Sequence, residues 1–184
     1  MFRNNLELII GPVCSGKSSE LLRRIDRYKI AGYNVLVVKP NIDTRSLNVK
    51  SRNGLESKCV SLNKGSQILE ILTQEIDIIA FDEAQFFPDI YEAVKDLLER
   101  QYKILVSALD TDFNGIPFGN IPQLITLSDS ITKLTAICMK CKCEFAIYSQ
   151  KLRSGGAQIE IGDLELYEPR CLNCFIPGGI KYEG

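Results

Sequence analysis

The sequence predicts an α/β protein: a parallel sheet flanked by helices, followed by a small lobe clipped together by cysteines. Three observations carry this expectation. Short apolar runs at Leu6–Ile10, Val35–Val38, Ile76–Phe81 and Ile104–Val106 alternate with amphipathic helical patterns, the order that produces parallel strands with helices packed on them. Between the first run and the first helical pattern lies Gly11-Pro12-Val13-Cys14-Ser15-Gly16-Lys17-Ser18, which fits the phosphate-binding pattern G-x-x-x-x-G-K-S in its strand–loop–helix context. After Ile137 the pattern changes to cysteine pairs, glycines and short extended stretches. This shift divides the chain into an α/β unit over 1–137 and a cysteine-rich lobe over 138–184.

In chain order, Leu21, Leu22, Ile25 and Tyr28 recur at helical spacing from Lys17, and Gly32 is the expected C-terminal cap. Val35–Val38 reads as a strand covered on both faces, stopped by Pro40. Residues 41–56 are polar and contain the turn signal Asn53-Gly54, so a mobile loop is expected. Lys58–Leu62 reads as a strand, and Ile68, Leu69, Ile71 and Leu72 as a helix. The buried run Ile76–Phe81 ends in Asp82-Glu83. A helix is expected from about Asp89 to Arg100, with Tyr91, Val94, Leu97 and Leu98 on one face. Ile104–Val106 is the next strand, leading to Leu109-Asp110. Ligands of such sheets bind at the C-terminal strand ends, where the glycine-rich loop, Asp82-Glu83 and Leu109-Asp110 all fall.

Composition narrows the function classes. The 184 residues are 45% hydrophobic and 24% charged, with a net charge of −1. These values suit a folded globular chain rather than a disordered one, and give no field to gather nucleic acid. No apolar run approaches the length of a membrane span. The N-terminus runs directly into the first strand, so no signal peptide and a cytoplasmic location are expected. There are seven cysteines and no histidine. In a reducing compartment the cysteines point to metal ligation or isolated thiols rather than disulfides, and the lack of histidine makes a carboxylate the expected general base.

The glycine-rich loop predicts a nucleoside triphosphate site. Backbone N–H groups from Gly11 to Ser18, at a helix N-terminus, would cup phosphate oxygens. Lys17 would reach the β- and γ-phosphates and the Ser18 hydroxyl would hold Mg²⁺. Asp82, at the end of an apolar strand, is the expected second Mg²⁺ group, and Glu83 next to it is placed to accept a proton from an attacking hydroxyl. Arg45 and Arg52 are candidates for further phosphate contacts. The plain alternatives are a glycine turn, solvated strand-end acids and surface arginines.

Cys138-x-x-Cys141 and Cys171-x-x-Cys174 are two knuckles that suit a structural, four-thiolate Zn²⁺ site. Cys143 extends the first to C-x₂-C-x-C, which leaves one ligand assignment open. Cys14 is expected to pack rather than react. Between the knuckles, the glycine-bearing stretch 155–163 offers backbone donors and acceptors to a flat polar ligand. Tyr167 is placed to stack on or cap it, as would suit a nucleobase.

These motifs together resemble the type II, zinc-bearing thymidine kinases over nearly the whole chain. The carriers are G-P-x-x-S-G-K-S, Asp82-Glu83-Ala84-Gln85-Phe86-Phe87, Ala108-Leu109-Asp110-Thr111-Asp112-Phe113, Pro117-Phe118-Gly119, Lys133 to Cys138, and the interval from Tyr167 to Cys171. The resemblance implies a RecA-like P-loop NTPase fold whose zinc-binding lobe carries a lasso loop. It implies transfer of phosphate from Mg-ATP to the 5′-hydroxyl of thymidine, with Glu83 as base. Val13, Leu109, Phe113, Phe118 and Ser149 would line the thymine and sugar pocket; Gln158, Glu160, Ile161 and Gly162 would form the lasso, and Tyr167 would close it. It further implies a homotetramer inhibited by dTTP, with no nucleic-acid or membrane partner. The chain departs from the family pattern at Gly162-Asp163, by one inserted residue between Cys141 and Ser149, and in loop 41–56, which lacks a histidine common in bacterial relatives.

Two other readings compete. An ATPase acting on nucleic acid would use Asp82-Glu83-Ala84-Gln85 as its acidic box, but the chain is short for a second motor lobe and has no basic stripe. A non-catalytic nucleotide sensor or zinc scaffold fits poorly with an intact Lys17, Ser18, Asp82 and Glu83 set.

Overall fold

Continuous burial along the central strands explains why the apolar runs form a sheet covered on both sides. The computed structural model describes residues 5–41, 48–50, 56–153 and 166–179. Its strands are β1 Leu6–Ile10, β2 Val35–Pro40, β3 Asn48–Lys50, β4 Glu56–Lys58, β5 Val60–Leu62, β6 Ile78–Phe81, β7 Lys103–Ala108, β8 Ser130–Lys133, β9 Tyr148–Lys151 and β10 Tyr167–Arg170. Its α-helices are α1 Lys17–Ile30, α2 Ile90–Glu99 and α3 Ile121–Leu127. Six strands make one parallel sheet in the order β5-β2-β6-β7-β1-β8. Ile9, Val37, Ile78, Ala80 and Leu105 point to one face, where Leu21, Leu22 and Ile25 of α1 cover them. Leu6, Leu8, Ile10, Val38, Ile79, Phe81, Ile104 and Val106 point to the other, under Val94 and Leu97 of α2 and Leu124 of α3. Successive strand side chains alternate faces, so a strand buried on both sides must be apolar throughout.

Helix α1 ends as its sequence predicts. Gly32 adopts φ +90°, Gly32 N donates to Lys29 O and Tyr33 N to Tyr28 O. These are the two bonds of a Schellman cap, which needs a left-handed residue at that point.

Several expectations are revised. The helix read from Ile68, Leu69, Ile71 and Leu72 is a 3-10 helix over Gly65–Glu70. The Asp89 carboxylate accepts bonds from Gly65 N, Ser66 N and Ser66 Oγ, pinning the segment's start. Fully buried Ile68 supplies its hydrophobic anchor, and the chain must soon return to β6. The stretch 41–56, read as loop, contributes β3, which pairs antiparallel with β4; Asn53-Gly54 falls outside the described residues. The single strand read over Lys58–Leu62 is two, changing partners at Cys59: β4 belongs to the ribbon and β5 to the main sheet.

One ionic knot joins four elements of the sheet's lower half. The Glu7 carboxylate receives Lys103 Nζ at 2.6 Å, Arg24 Nη1 at 2.7 Å and the Tyr28 hydroxyl at 3.0 Å. Arg24 Nη2 also donates to Thr132 Oγ1. Burial pushes the Glu7 carboxyl up, but Lys103, Tyr28 and Arg24 outweigh it and hold it below its ordinary value of 4.5. A carboxyl depressed in this way stabilises the fold above the unfolded value, and that contribution disappears as pH falls through the folded one. Glu7→Gln is expected to destabilise the protein by about 3 kcal/mol, because it strips this anion from the buried Lys103, and to flatten the loss of stability below pH 4.5. Urea unfolding across pH measures both; a variant as stable as the parent would refute the assignment.

Candidate active site

The loop from Gly11 to Ser18 is shaped by backbone constraints that only certain residues satisfy. Gly11 has φ +151°, and a Cβ there would lie 2.5 Å from the Leu134 carbonyl oxygen, so no side chain fits. Gly16 has φ +88° and precedes the first turn of α1. Cys14, at φ 63°, also takes the left-handed conformation. The loop thus ends at Gly16, the N-cap of α1, and stands at a helix N-terminus, where partial positive charge concentrates.

Lys17 is buried, and its Nζ donates to Pro12 O at 2.8 Å. Burial pushes its ammonium below the usual lysine range, opposed by the charges of Glu83, Asp82 and Asp110. Phosphate oxygens beside it would favour the charged form. The Ser18 hydroxyl lies 3.3 Å from each carboxylate oxygen of Asp82, and Ser107 Oγ on β7 donates to Asp82 Oδ1 at 2.7 Å. Burial, then the neighbouring Glu83 charge, raises Asp82 to about 6. A hydroxyl and a carboxylate facing each other at this separation are the hard oxygen donors that suit Mg²⁺.

Glu83 follows with φ 52° and ψ 41°, a left-handed conformation uncommon outside glycine. Its Oε2 accepts from Gln85 Nε2 at 2.6 Å, and Gln85 Oε1 accepts from Leu109 N at 3.0 Å. Beside them, Asp110 and Lys133 form an ion pair at 2.9 Å. They project from the ends of β7 and β8, the neighbours of β1 on either side.

The wall predicted for the sugar and base is a tight loop after β7. The Asp112 carboxylate accepts from Asn114 N and Ile116 N, and Phe118 N donates to Asp110 O. This fold-back buries Phe113 and Phe118. Phe118 meets Phe86 edge-on at 5.9 Å, and Lys151 Nζ sits 4.7 Å from the Phe113 ring centroid. The cysteine lobe touches the phosphate loop directly: buried Ser149 on β9 accepts Val13 N at 3.0 Å through its hydroxyl. Half-buried Tyr167 pairs with Lys151 across β9 and β10. Thus Val13, Ser149, Leu109, Phe113 and Phe118 gather around the strand ends that hold Lys17, Ser18, Asp82 and Glu83. Gln158, Glu160, Ile161 and Gly162, and the arginines 45 and 52, lie outside the described residues. Ser107, Lys151 and the Gln85 bridge went unread in the sequence; a serine inside a buried strand was the only local signal for any of them.

In the lobe, the sulfurs of Cys138, Cys141, Cys171 and Cys174 all lie within 4.8 Å of one another, with Cys141 and Cys171 3.6 Å apart. Zn–S bonds of about 2.3 Å in a tetrahedron put sulfurs about 3.8 Å apart, so the set fits zinc. Cys143 is not a member of this set. Burial pushes the Cys138 thiol up, but the backbone amides of Cys141, Cys171 and Lys140 pull it down to about 6, an environment that favours the thiolate that binds metal.

The family model for thymidine kinase matches residues 4–175. The chain belongs to the thymidine kinase family. It is therefore an ATP-dependent nucleoside kinase that acts on thymidine, and its four-cysteine cluster fits the family's zinc-bearing class. The nucleic-acid ATPase reading has no support from the family match or from the described residues. No helix among those residues is long and apolar enough to cross a membrane.

Metal analysis of the purified kinase is expected to return about one zinc per chain. Because structural zinc contributes roughly 10–16 kcal/mol of apparent binding energy, chelation or Cys171→Ser is expected to lower the melting temperature sharply. Unchanged melting after complete metal removal would contradict a structural metal.

Proposed function

We propose that this kinase transfers the γ-phosphoryl of Mg-ATP to the 5′-hydroxyl of thymidine, giving dTMP, with Glu83 as the proton acceptor. The observation that carries the reading is the convergence of Lys17, Ser18 and Asp82 with Glu83 at adjoining strand ends, beside a pocket wall of Leu109, Phe113 and Phe118. Phosphoryl transfer asks the protein mainly for positioning and charge neutralisation. Loop amides and Lys17 would hold the triphosphate, displacing the Lys17 ammonium from the Pro12 carbonyl. Ser18 and Asp82 would hold Mg²⁺, which would supply neutralisation of the charge that develops on the transferred phosphoryl group. Glu83 would accept the 5′-hydroxyl proton as oxygen attacks phosphorus; such a base contributes on the order of a hundred- to ten-thousand-fold.

Phe113 and Phe118 would pack against sugar and base. The lasso residues Gln158, Glu160, Ile161 and Gly162 would read the base edge through their main chain, with Tyr167 closing over it. The Val13–Ser149 bond supports this coupling of lobe to phosphate loop. Apolar recognition of one methyl contributes only about 1–3 kcal/mol, so deoxyuridine is expected as a slower substrate. Structural zinc, homotetrameric assembly, inhibition by dTTP, a place in pyrimidine salvage and a cytoplasmic location are part of the same reading, supported by the family resemblance.

The test is to incubate the protein with Mg-ATP and each nucleoside separately, then identify any monophosphate by mass spectrometry. Thymidine is expected to be converted fastest. Glu83→Gln is expected to bind ATP normally while turnover falls at least about a hundredfold. Parental turnover in that variant would remove Glu83 from the role of base.

A further inference from the structure

We propose that Gln85 is a positioning residue that aims the Glu83 carboxylate, and that it does so by clamping it to the backbone of β7. This rests on the reading of Glu83 as base. Gln85 is 5% exposed, in the short 3-10 turn that follows β6. Its amide is held from both ends: Oε1 accepts from Leu109 N at 3.0 Å, and Nε2 donates to Glu83 Oε2 at 2.6 Å. The orientation is not arbitrary. A backbone N–H can only donate and an ionised carboxylate can only accept, so the carbonyl must face Leu109 and the amino group must face Glu83.

The clamp answers two needs. Glu83 stands at φ 52° and ψ 41°, a backbone conformation that persists only where surrounding contacts enforce it. Besides the turn bond from Phe86 N to Glu83 O, the Gln85 amide is the contact that fixes where its side chain points. It engages Oε2 alone. Oε1 makes no hydrogen bond among the described residues and is left as the proton-accepting oxygen. The far end of the clamp is Leu109, the first residue beyond β7 and part of the predicted pocket wall. Gln85 thus fixes the base relative to the wall that would hold the reacting sugar. A base misaimed by about an ångström loses on the order of a hundredfold in rate.

The test is a double-mutant cycle on the whole enzyme with Gln85→Met, which keeps the chain length but neither hydrogen bond. Because the phosphate loop is untouched, kcat is expected to fall about tenfold to a hundredfold while KM for ATP changes less than about twofold. In a Glu83→Gln background, Gln85→Met is expected to slow the enzyme no further, since the group it aims is already gone. If methionine is not tolerated, Gln85→Asn enters the same cycle; its amide is one methylene too short to span both partners. A parental kcat in the Gln85 single variant, or losses that multiply in the double variant, would overturn the positioning role. Parental turnover in Glu83→Gln alone would instead overturn the base assignment beneath it.

Discussion

Parallel pairing of β6, β7 and β1 is the constraint on which the rest depends. Ile10 pairs with Ala108 and Phe81 with Val106, so the ends of β1 and β7 are level and β6 ends two residues short of them. Each end delivers a different group: Asp82 and Glu83 from β6, Leu109 and Asp110 from β7, the glycine loop and Lys17 from β1. Asp82 makes this adjacency specific. Its carboxylate accepts Ser107 from the neighbouring strand and faces Ser18 from the first turn of α1, so sheet and helix cannot slide without breaking a buried polar contact. Because the strands are parallel, each crossover must travel back across the sheet, which leaves the upper ends open for ligand.

The site is electrostatically tense by construction. A buried ammonium, a buried carboxylate and a second carboxylate crowd together, with the lysine pushed down and Asp82 pushed up. Such opposed shifts are typical of places organised to receive charge. Phosphates would satisfy the lysine and a divalent cation would satisfy the carboxylate, so substrate would complete a polar network that the protein leaves unfinished. The contrast with Glu7 and Lys103 is instructive. At the opposite end of the same strands, that knot is closed by its own partners.

The cysteine lobe addresses a different problem. Among the described residues its segments are short, with one two-stranded ribbon and one small apolar cluster, little to stand by hydrophobic burial alone. Four converging sulfurs supply the missing constraint. Ser149 then fastens the lobe to Val13, and the stack of Tyr148 on Phe175 at 4.3 Å helps carry the second knuckle back toward β9.

Local chemistry and periodicity encode part of this architecture directly. A motif with strand before and helix after identified the phosphate loop; doubly buried strands were legible as unbroken apolar runs; the cysteine spacing named its own cluster. The elements that escaped are those whose character comes from neighbours. β8 is an edge strand with three polar residues in four and Ile131 46% exposed, so no apolar run marks it. α3 spans seven residues and carries proline in its first turn, too short for a periodic signal. β3 exists because β4 pairs with it. The Asp82–Ser107 contact, the Gln85 clamp and the Lys151–Phe113 stack join residues far apart in the chain or oriented only by the turn they occupy. These contacts arise only on folding, because each depends on distance and direction, and neither is written in the order of residues.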